Sequence, residues 1–341
     1  MPQTDGWMAT LGAGRSWGSR KVTRAGESGL AEPERPVDWA QASLLDQGLI
    51  WDGSGPEPPE YDPFVYFGRS QHFEVLLRGA LADGGLVLPS SPRIAIVGSG
   101  AGDSAVSPCL RMFPHARVLA VDDRPDQLGL MRAHLREHGI EHRVLAVRAP
   151  ADVDFVEPGA LDLIVGVGVL HRLIDPDRGL AMTARALRPG GHAVFMEPFE
   201  GHGLLRLAFS RLRAEAELRG EPLPPEILHA VEIWIHDISA ATAPDPTRPG
   251  FAEQHRKWVF ASESIAAAAN SMGFASVQFF THNDHPSFYR DIAEVKLRDT
   301  SGLERIELPD WAWAIFREFD EALTPAVKRL LPIEGSIVLT R

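Results

Sequence analysis

The stretch Arg93-Ile-Ala-Ile-Val-Gly-Ser-Gly-Ala-Gly-Asp103 decides the fold. Residues 93–97 are a short β-branched, apolar run, the signature of a strand buried on both faces. Glycines at 98, 100 and 102 follow at once, where the chain must turn into the helical pattern of residues 103–113. Backbone without a Cβ can close such a turn and can also approach a ligand. Gly98, Ser99, Gly100 and Gly102 are therefore candidate binding residues. The spacing alone fits equally a tight strand-to-helix turn that binds nothing. A nicotinamide-type fingerprint asks for a glycine at position 103, and Asp103 stands there. That substitution counts against a nicotinamide-dependent oxidoreductase.

Outward from this stretch the rhythm repeats. Residues 117–121 read as a second strand, ending in Asp122-Asp123. Pro125 then takes the first position of a helix whose face is Leu128, Met131 and Leu135, and Gly139 stops it. Residues 143–147 and 161–167 are the third and fourth strands. Asp175-Pro176 opens another helix, and Pro189-Gly190-Gly191 leads into a fifth strand over 192–196. Pro108 should strain the first turns of the helix at 103–113. Strands alternating with helices predict a doubly wound α/β sheet, covered on both faces, with ligands beyond the carboxyl ends of its strands.

After Glu197 the alternation breaks. Leu205, Phe209 and Leu212 mark an amphipathic helix, a second helical stretch covers 225–239, and a Pro-rich loop follows at 243–250. A helix over 262–272 and a strand over 275–280 resume the pattern. A second insertion carries a helix marked by Trp311, Ile315 and Phe319, and residues 335–340 form a last strand. The expected organisation is a flexible tail and Pro/acid-rich linker at 1–60 and a nucleoside-binding core at 61–200. A helical lid insertion at 201–258 follows, then the rest of the core at 259–341, with an insertion at 281–333.

As a set, five segments resemble the successive motifs of class I S-adenosylmethionine-dependent methyltransferases. They are Ile94-Ala-Ile-Val-Gly-Ser-Gly-Ala-Gly102, Val118-Leu-Ala-Val-Asp122, Leu161-Asp-Leu-Ile-Val165, Val169-Leu-His171 and Ala186-Leu-Arg-Pro-Gly-Gly-His-Ala-Val-Phe195. The resemblance covers about residues 90–200 in order and spacing. It implies a seven-stranded Rossmann-like sheet ending in an antiparallel hairpin, and S-adenosylmethionine as the cofactor. The glycine loop would pass under the methionine part, and Asp122 would hold the ribose hydroxyls, with Asp123 and Gly168 completing the cofactor set. Many relatives contact adenine through an acid where this chain has Pro150, so Asp152 or local backbone takes that place. Glu197-Pro-Phe-Glu200, Lys257-Trp-Val-Phe260, Pro309-Asp-Trp-Ala-Trp313 and Glu334-Gly-Ser-Ile-Val338 are similar to bacterial members linked to glycosyltransferases in surface-saccharide pathways. This implies a sugar or a glycosylated acceptor.

Methyl transfer from a sulfonium is an in-line displacement in which the protein positions the nucleophile and removes its proton. A hydroxyl acceptor gains most from a base, and histidine titrates in the useful range. His171, directly after the fourth strand, is the candidate base, or else a packing residue of that loop. Glu197, at the end of the fifth strand, either orients the acceptor or caps the next segment. The expected reaction is O-methylation of a sugar or secondary metabolite. N- or C-methylation and non-catalytic cofactor binding are the rivals.

His229 and His236 with Glu232, and His282 and His285 around Asp284, have no compact metal-ligand spacing, so no metal is expected. Trp311, Trp313 and Phe316 read as core, and Arg206, Arg211, Arg213 and Arg219 as a solvated helix face. A net charge of −12 argues against a general nucleic-acid binder. The longest apolar run, near residues 163–170, is too short to span a membrane. One cysteine, Cys109, and no apolar leader after the N-terminal basic residues fit a reduced, cytoplasmic setting. A small-molecule acceptor is the expected partner, and self-association is left open.

Overall fold

The computed structural model describes residues 43–56, 63–282 and 287–341. The tail at 1–30, part of the expected linker, and Asp284 and His285 lie outside the described residues. Eight strands form one sheet: β1 (Leu49–Ile50), β2 (Arg93–Val97), β3 (Arg117–Asp122), β4 (Val144–Arg148), β5 (Leu161–Val167), β6 (Leu187–Pro198), β7 (Ser276–Thr281) and β8 (Glu334–Thr340). Their spatial order is β1-β4-β3-β2-β5-β6-β8-β7. β2 to β6 run parallel, and β8 lies antiparallel between β6 and β7. The seven expected strands are present. The eighth, β1, is a two-residue edge that pairs antiparallel with β4 and comes from the stretch read as linker. Two residues carry no readable periodicity, which is why the sequence does not announce it.

Ten helices are assigned among the described residues: α1 (Pro63–Asp83), α2 (Val106–Met112), α3 (Pro125–Glu137), α4 (Pro176–Ala186), α5 (His202–Arg219), α6 (Pro225–Thr242), α7 (Ser262–Ser271), α8 (Phe288–Ser301), α9 (Asp310–Ala322) and α10 (Pro325–Leu330). Successive strand residues point to opposite faces, so each central strand feeds two cores. Ile94, Ile96, Val118, Ala120, Leu163 and Val165 pack with Leu77, Leu110, Leu128 and Met131 from α1, α2 and α3. Ala95, Val97, Leu119, Val121 and Ile164 pack with Leu180 and Met182 of α4 and Ile265 and Ala269 of α7. Truncating one of the large side chains to alanine removes both buried area and packing, at a cost of about 2–5 kcal/mol.

Two local departures from expectation have simple causes. α2 begins at Val106 rather than at 103, because residues 102–105 are spent in the turn that Ser107 N–H closes on the Gly102 carbonyl. Pro108 then falls in the first turn, where the missing N–H has no helical partner to lose, and the expected strain is absent. α8 is a helix not anticipated within the second insertion. Its buried residues Phe288, Tyr289, Ala293 and Leu297 are diluted by charged neighbours, which blurs the apolar stripe.

A third apolar cluster joins the two insertions. Leu205, Phe209 and Leu212 of α5, Val231 and Trp234 of α6, Phe288 and Tyr289 of α8, and Trp313 and Phe316 of α9 pack together. Arg206, Arg211, Arg213 and Arg219 lie on the exposed side of α5, where Arg211 pairs with Glu318. None of the helices among the described residues is long and apolar enough to cross a membrane.

Candidate active site

The order of the strands reverses between β2 and β5, so the loops after Val97 and Val167 lie side by side. Their contact is intimate. Gly98 has φ +60°, and a Cβ there would stand 1.9 Å from a Val169 methyl. Gly98→Ala therefore meets two costs: about 1–2 kcal/mol for a left-handed non-glycine residue, and displacement of the turn that follows β5. The expected outcome is a fall in Tm of several degrees with a loss of turnover, measured by thermal unfolding and a methylation assay on one preparation.

Gly100, also left-handed at φ +53°, is different, because the nearest atom to its hypothetical Cβ is 3.9 Å away on Gln127. The backbone there borders open space. Its N–H donates to Asp122 Oδ2 at 2.8 Å, while Arg124 N–H donates to Oδ1 at 2.9 Å. Asp122 thus ties the glycine loop to the end of β3, and each carboxylate oxygen keeps capacity for one more donor. Ser99 N–H donates to the Val121 carbonyl, and its buried Oγ has no partner. Burial lifts the Asp122 carboxyl above the ordinary range, against the pull of its two backbone donors.

A cavity of about 380 Å³ opens over the carboxyl ends of β5 and β6. Val167, Gly168 and His171 at and after the end of β5, Met196, Glu197 and Pro198 at the end of β6, and Phe288, Ile292 and Val295 of α8 line it. The glycine loop is not part of this wall, although Ser104, two residues beyond Gly102, is.

His171 and Glu197 form a buried pair. His171 Nδ1 is 2.7 Å from Glu197 Oε2, and Glu197 is 2% exposed. Oε1 accepts from the N–H groups of Val169 and Leu170 at 2.9 and 2.8 Å, and Oε2 also accepts from His171 N–H at 3.3 Å. The carboxylate therefore caps the short turn Leu170–Arg172 and clamps the imidazole carried on it. A carboxylate only accepts, so Nδ1 carries the proton and Nε2, on the opposite ring edge, is left as the basic nitrogen. Gly168, at φ +63°, makes room for this ring; a Cβ there would lie 3.3 Å from His171 Cε1. A second loop steadies the turn, since Lys257 N–H donates to the His171 carbonyl and Trp258 Nε1 to the Leu173 carbonyl.

The remaining sequence candidates are scattered. Asp123 is exposed beside Asp122. Asp152 lines a smaller recess with Arg178 and Arg185, which shares no residue with the cavity. His229 and His236 are exposed on α6, whereas His282 lines the cavity, with its Nε2 2.8 Å from Ser336 Oγ. Among the described residues one group has metal-ligand proximity, His134, Glu137 and His138 at the end of α3, and none of its members lines the cavity.

Several cavity residues escaped the sequence reading. Arg69, Arg172, Arg256 and Lys296 all reach the wall; Lys296 pairs there with Glu334, the first residue of a segment quoted from the sequence. Arg172 sits next to His171, and Arg256 precedes the Lys257-Trp-Val-Phe260 segment. Adjacency to singled-out positions was the available signal.

Residues 96–193 match the family model described as a methyltransferase domain. An uncharacterized protein of a Synechococcus strain is 32% identical over 140 residues, 40% of this chain and 32% of that protein. Release factor glutamine methyltransferase of Chlorobaculum tepidum is 39% identical over 88 residues, 25% of this chain and 30% of that protein. The chain spans about a third of the length of the curated relatives it matches. Among solved structures, phosphoethanolamine N-methyltransferase 2 of Haemonchus contortus superposes with a TM-score of 0.49 at 14% identity, covering 83% of this chain and 58% of that one. Geranyl diphosphate C-methyltransferase of Streptomyces coelicolor gives a TM-score of 0.48 at 13% identity, covering 90% and 95%.

Proposed function

We propose that this chain, with its methyltransferase domain at residues 96–193, transfers a methyl group from S-adenosylmethionine to a hydroxyl of a small molecule. The observation that carries the reading is the His171–Glu197 pair, which lines the cavity over the carboxyl ends of β5 and β6. The residues fit the nucleoside. Open space over Gly100, an orphaned Ser99 Oγ and a lifted Asp122 carboxylate form a cradle with unused hydrogen-bonding capacity. Gly98, Ser99, Gly100 and Gly102 would hold the amino-acid part and Asp122 the ribose hydroxyls. Bound there, the sulfonium supplies an electrophilic methyl carbon and a thioether leaving group.

The protein's part is proton removal and alignment. His171 Nε2 would take the proton of the acceptor hydroxyl as that oxygen attacks. Glu197 stabilises the imidazolium through Nδ1–H and fixes its direction. The helical layer of α5, α6, α8 and α9 acts as a lid that keeps the reacting groups from water. A sugar or secondary metabolite is the acceptor class proposed from the saccharide-type motifs.

Calorimetry tests the nucleoside site. S-adenosylhomocysteine should bind and nicotinamide dinucleotides should not; the opposite pattern would sink the proposal. Ribose hydroxyls donate to Asp122, so binding requires the ionised carboxylate. Affinity is therefore full at neutral pH and falls as pH drops through a midpoint above the usual aspartate value of about 3.9. Asp122→Asn should weaken binding roughly 10- to 100-fold, the worth of a hydrogen bond to a charged group, and flatten that pH profile.

A further inference from the structure

The chain carries a net charge of −12, yet four cationic side chains, Arg69, Arg172, Arg256 and Lys296, converge on one cavity. The acids of the same wall are already engaged. Glu197 is filled by the His171 turn, Glu334 pairs with Lys296, and Asp291 lies 3.6 Å from Arg290. Arg69 stands 3.7 Å from Asp103, beside the glycine loop.

Arg256 is left over. Its guanidinium stacks over the Trp234 ring at 4.6 Å, which supports its face. The N–H groups point in the plane of the guanidinium, and Nε is fully buried with no hydrogen-bond partner. A buried donor on a permanent cation is costly to leave unmade. Glu334 and Asp237 act on it through space, and neither is hydrogen-bonded to it among the described residues. Arg172, on the turn next to His171, lines the same cavity and has no carboxylate hydrogen-bonded to it among the described residues. His255, whose ring centre is 6.4 Å from that of His171, is held down to about 4 by burial and by Arg172, His171 and Arg256.

Resting on the methyltransferase reading, we propose that the acceptor is an anion. It carries a carboxylate or phosphate that Arg256 binds through its in-plane N–H groups, with Arg172 at the same wall, while its hydroxyl faces His171. A planar fork matched to an oxyanion is the arrangement for which arginine is suited and lysine is not. The cofactor's own carboxylate is the competing source of negative charge. Arg256 lies on the insertion side, stacked on α6 and facing Glu334 and Asp237, whereas Arg69 is the cation beside the glycine loop.

The experiment is calorimetric titration of the full chain with inorganic phosphate and, separately, malonate, at low ionic strength. Each is run with and without saturating S-adenosylhomocysteine, which brings its own carboxylate. At least one of the two anions should bind the saturated protein with millimolar or tighter affinity. Arg256→Gln should weaken it at least tenfold, Arg256→Lys less, and Arg213→Gln on the solvated face of α5 not at all. S-adenosylhomocysteine binding by Arg256→Gln should stay as in the wild type, which also reports that the variant is folded. The proposal is overturned if neither anion binds the saturated protein, if saturation abolishes anion binding, or if folded Arg256→Gln binds as the wild type does. Should Arg256→Gln fail to fold, the wild-type titrations and Arg256→Lys carry the test: unaltered anion affinity in the lysine variant overturns it. A wild type that binds no S-adenosylhomocysteine sinks the methyltransferase reading instead, and the titrations without it still read the anion site.

Discussion

His171→Ala lowers kcat by roughly 10²–10⁴-fold, the range for loss of a positioned general base, and changes the affinity for S-adenosylhomocysteine by less than about threefold. The split follows from where the ring sits. It lines the cavity proposed for the acceptor, whereas the glycine loop and Asp122, proposed to hold the nucleoside, lie outside that wall. Removing the imidazole deletes no backbone contact, because the turn is still capped through the N–H groups of Val169 and Leu170. The measurement is single-turnover methylation alongside calorimetry on the same protein. Turnover within a few-fold of wild type would remove His171 from proton transfer and leave the acceptor ionised before it binds. His171→Gln separates shape from basicity, since glutamine fills part of the space but takes no proton; it should be as inactive as the alanine variant.

The core was legible because its signals are local. A strand such as residues 93–97, buried on both faces, needs a continuous β-branched run, and the glycines that must follow it cannot be disguised. Asp122 was legible for a similar reason, since a carboxylate ending β3 next to a glycine loop has one geometry available. The acceptor side was less so. Arg256 and Trp234 are 22 positions apart within one insertion, and no period in the sequence encodes their stacking. Glu197 illustrates the boundary between the two regimes. Its place at a strand end singled it out, but the choice between orienting an acceptor and capping a turn needed the three-dimensional answer. Its oxygens are occupied by the His171 turn, so it positions the imidazole proposed as the base rather than an acceptor.

That occupancy gives Glu197→Gln its expected effect: a kcat reduced about as far as in His171→Ala, in a protein that still folds and binds S-adenosylhomocysteine. Glutamine is nearly the same size, and its carbonyl oxygen can replace Oε1 as acceptor for Val169 and Leu170 N–H. Its amide then faces His171 Nδ1 at the 2.7 Å position now held by Oε2. An amide donates there, so Nδ1 must become the acceptor and the ring proton moves to Nε2. Nε2, the nitrogen proposed to take the acceptor's proton, is then a donor and cannot do so; in serine proteases the equivalent tautomer error costs about 10⁴-fold. The amide also meets His171 N–H, 3.3 Å from Oε2, so a modest loss of stability accompanies the change. Glu197→Ala is worse in a different way, because it strands three backbone N–H groups in a buried site, each costing about 1–3 kcal/mol. The diagnostic is therefore the contrast: Glu197→Gln folded and inactive, Glu197→Ala unstable. NMR of the ring nitrogens reads the tautomer directly. An active Glu197→Gln with the proton still on Nδ1 would show that the carboxylate is only a cap, and that the direction of the imidazole is set by the turn alone.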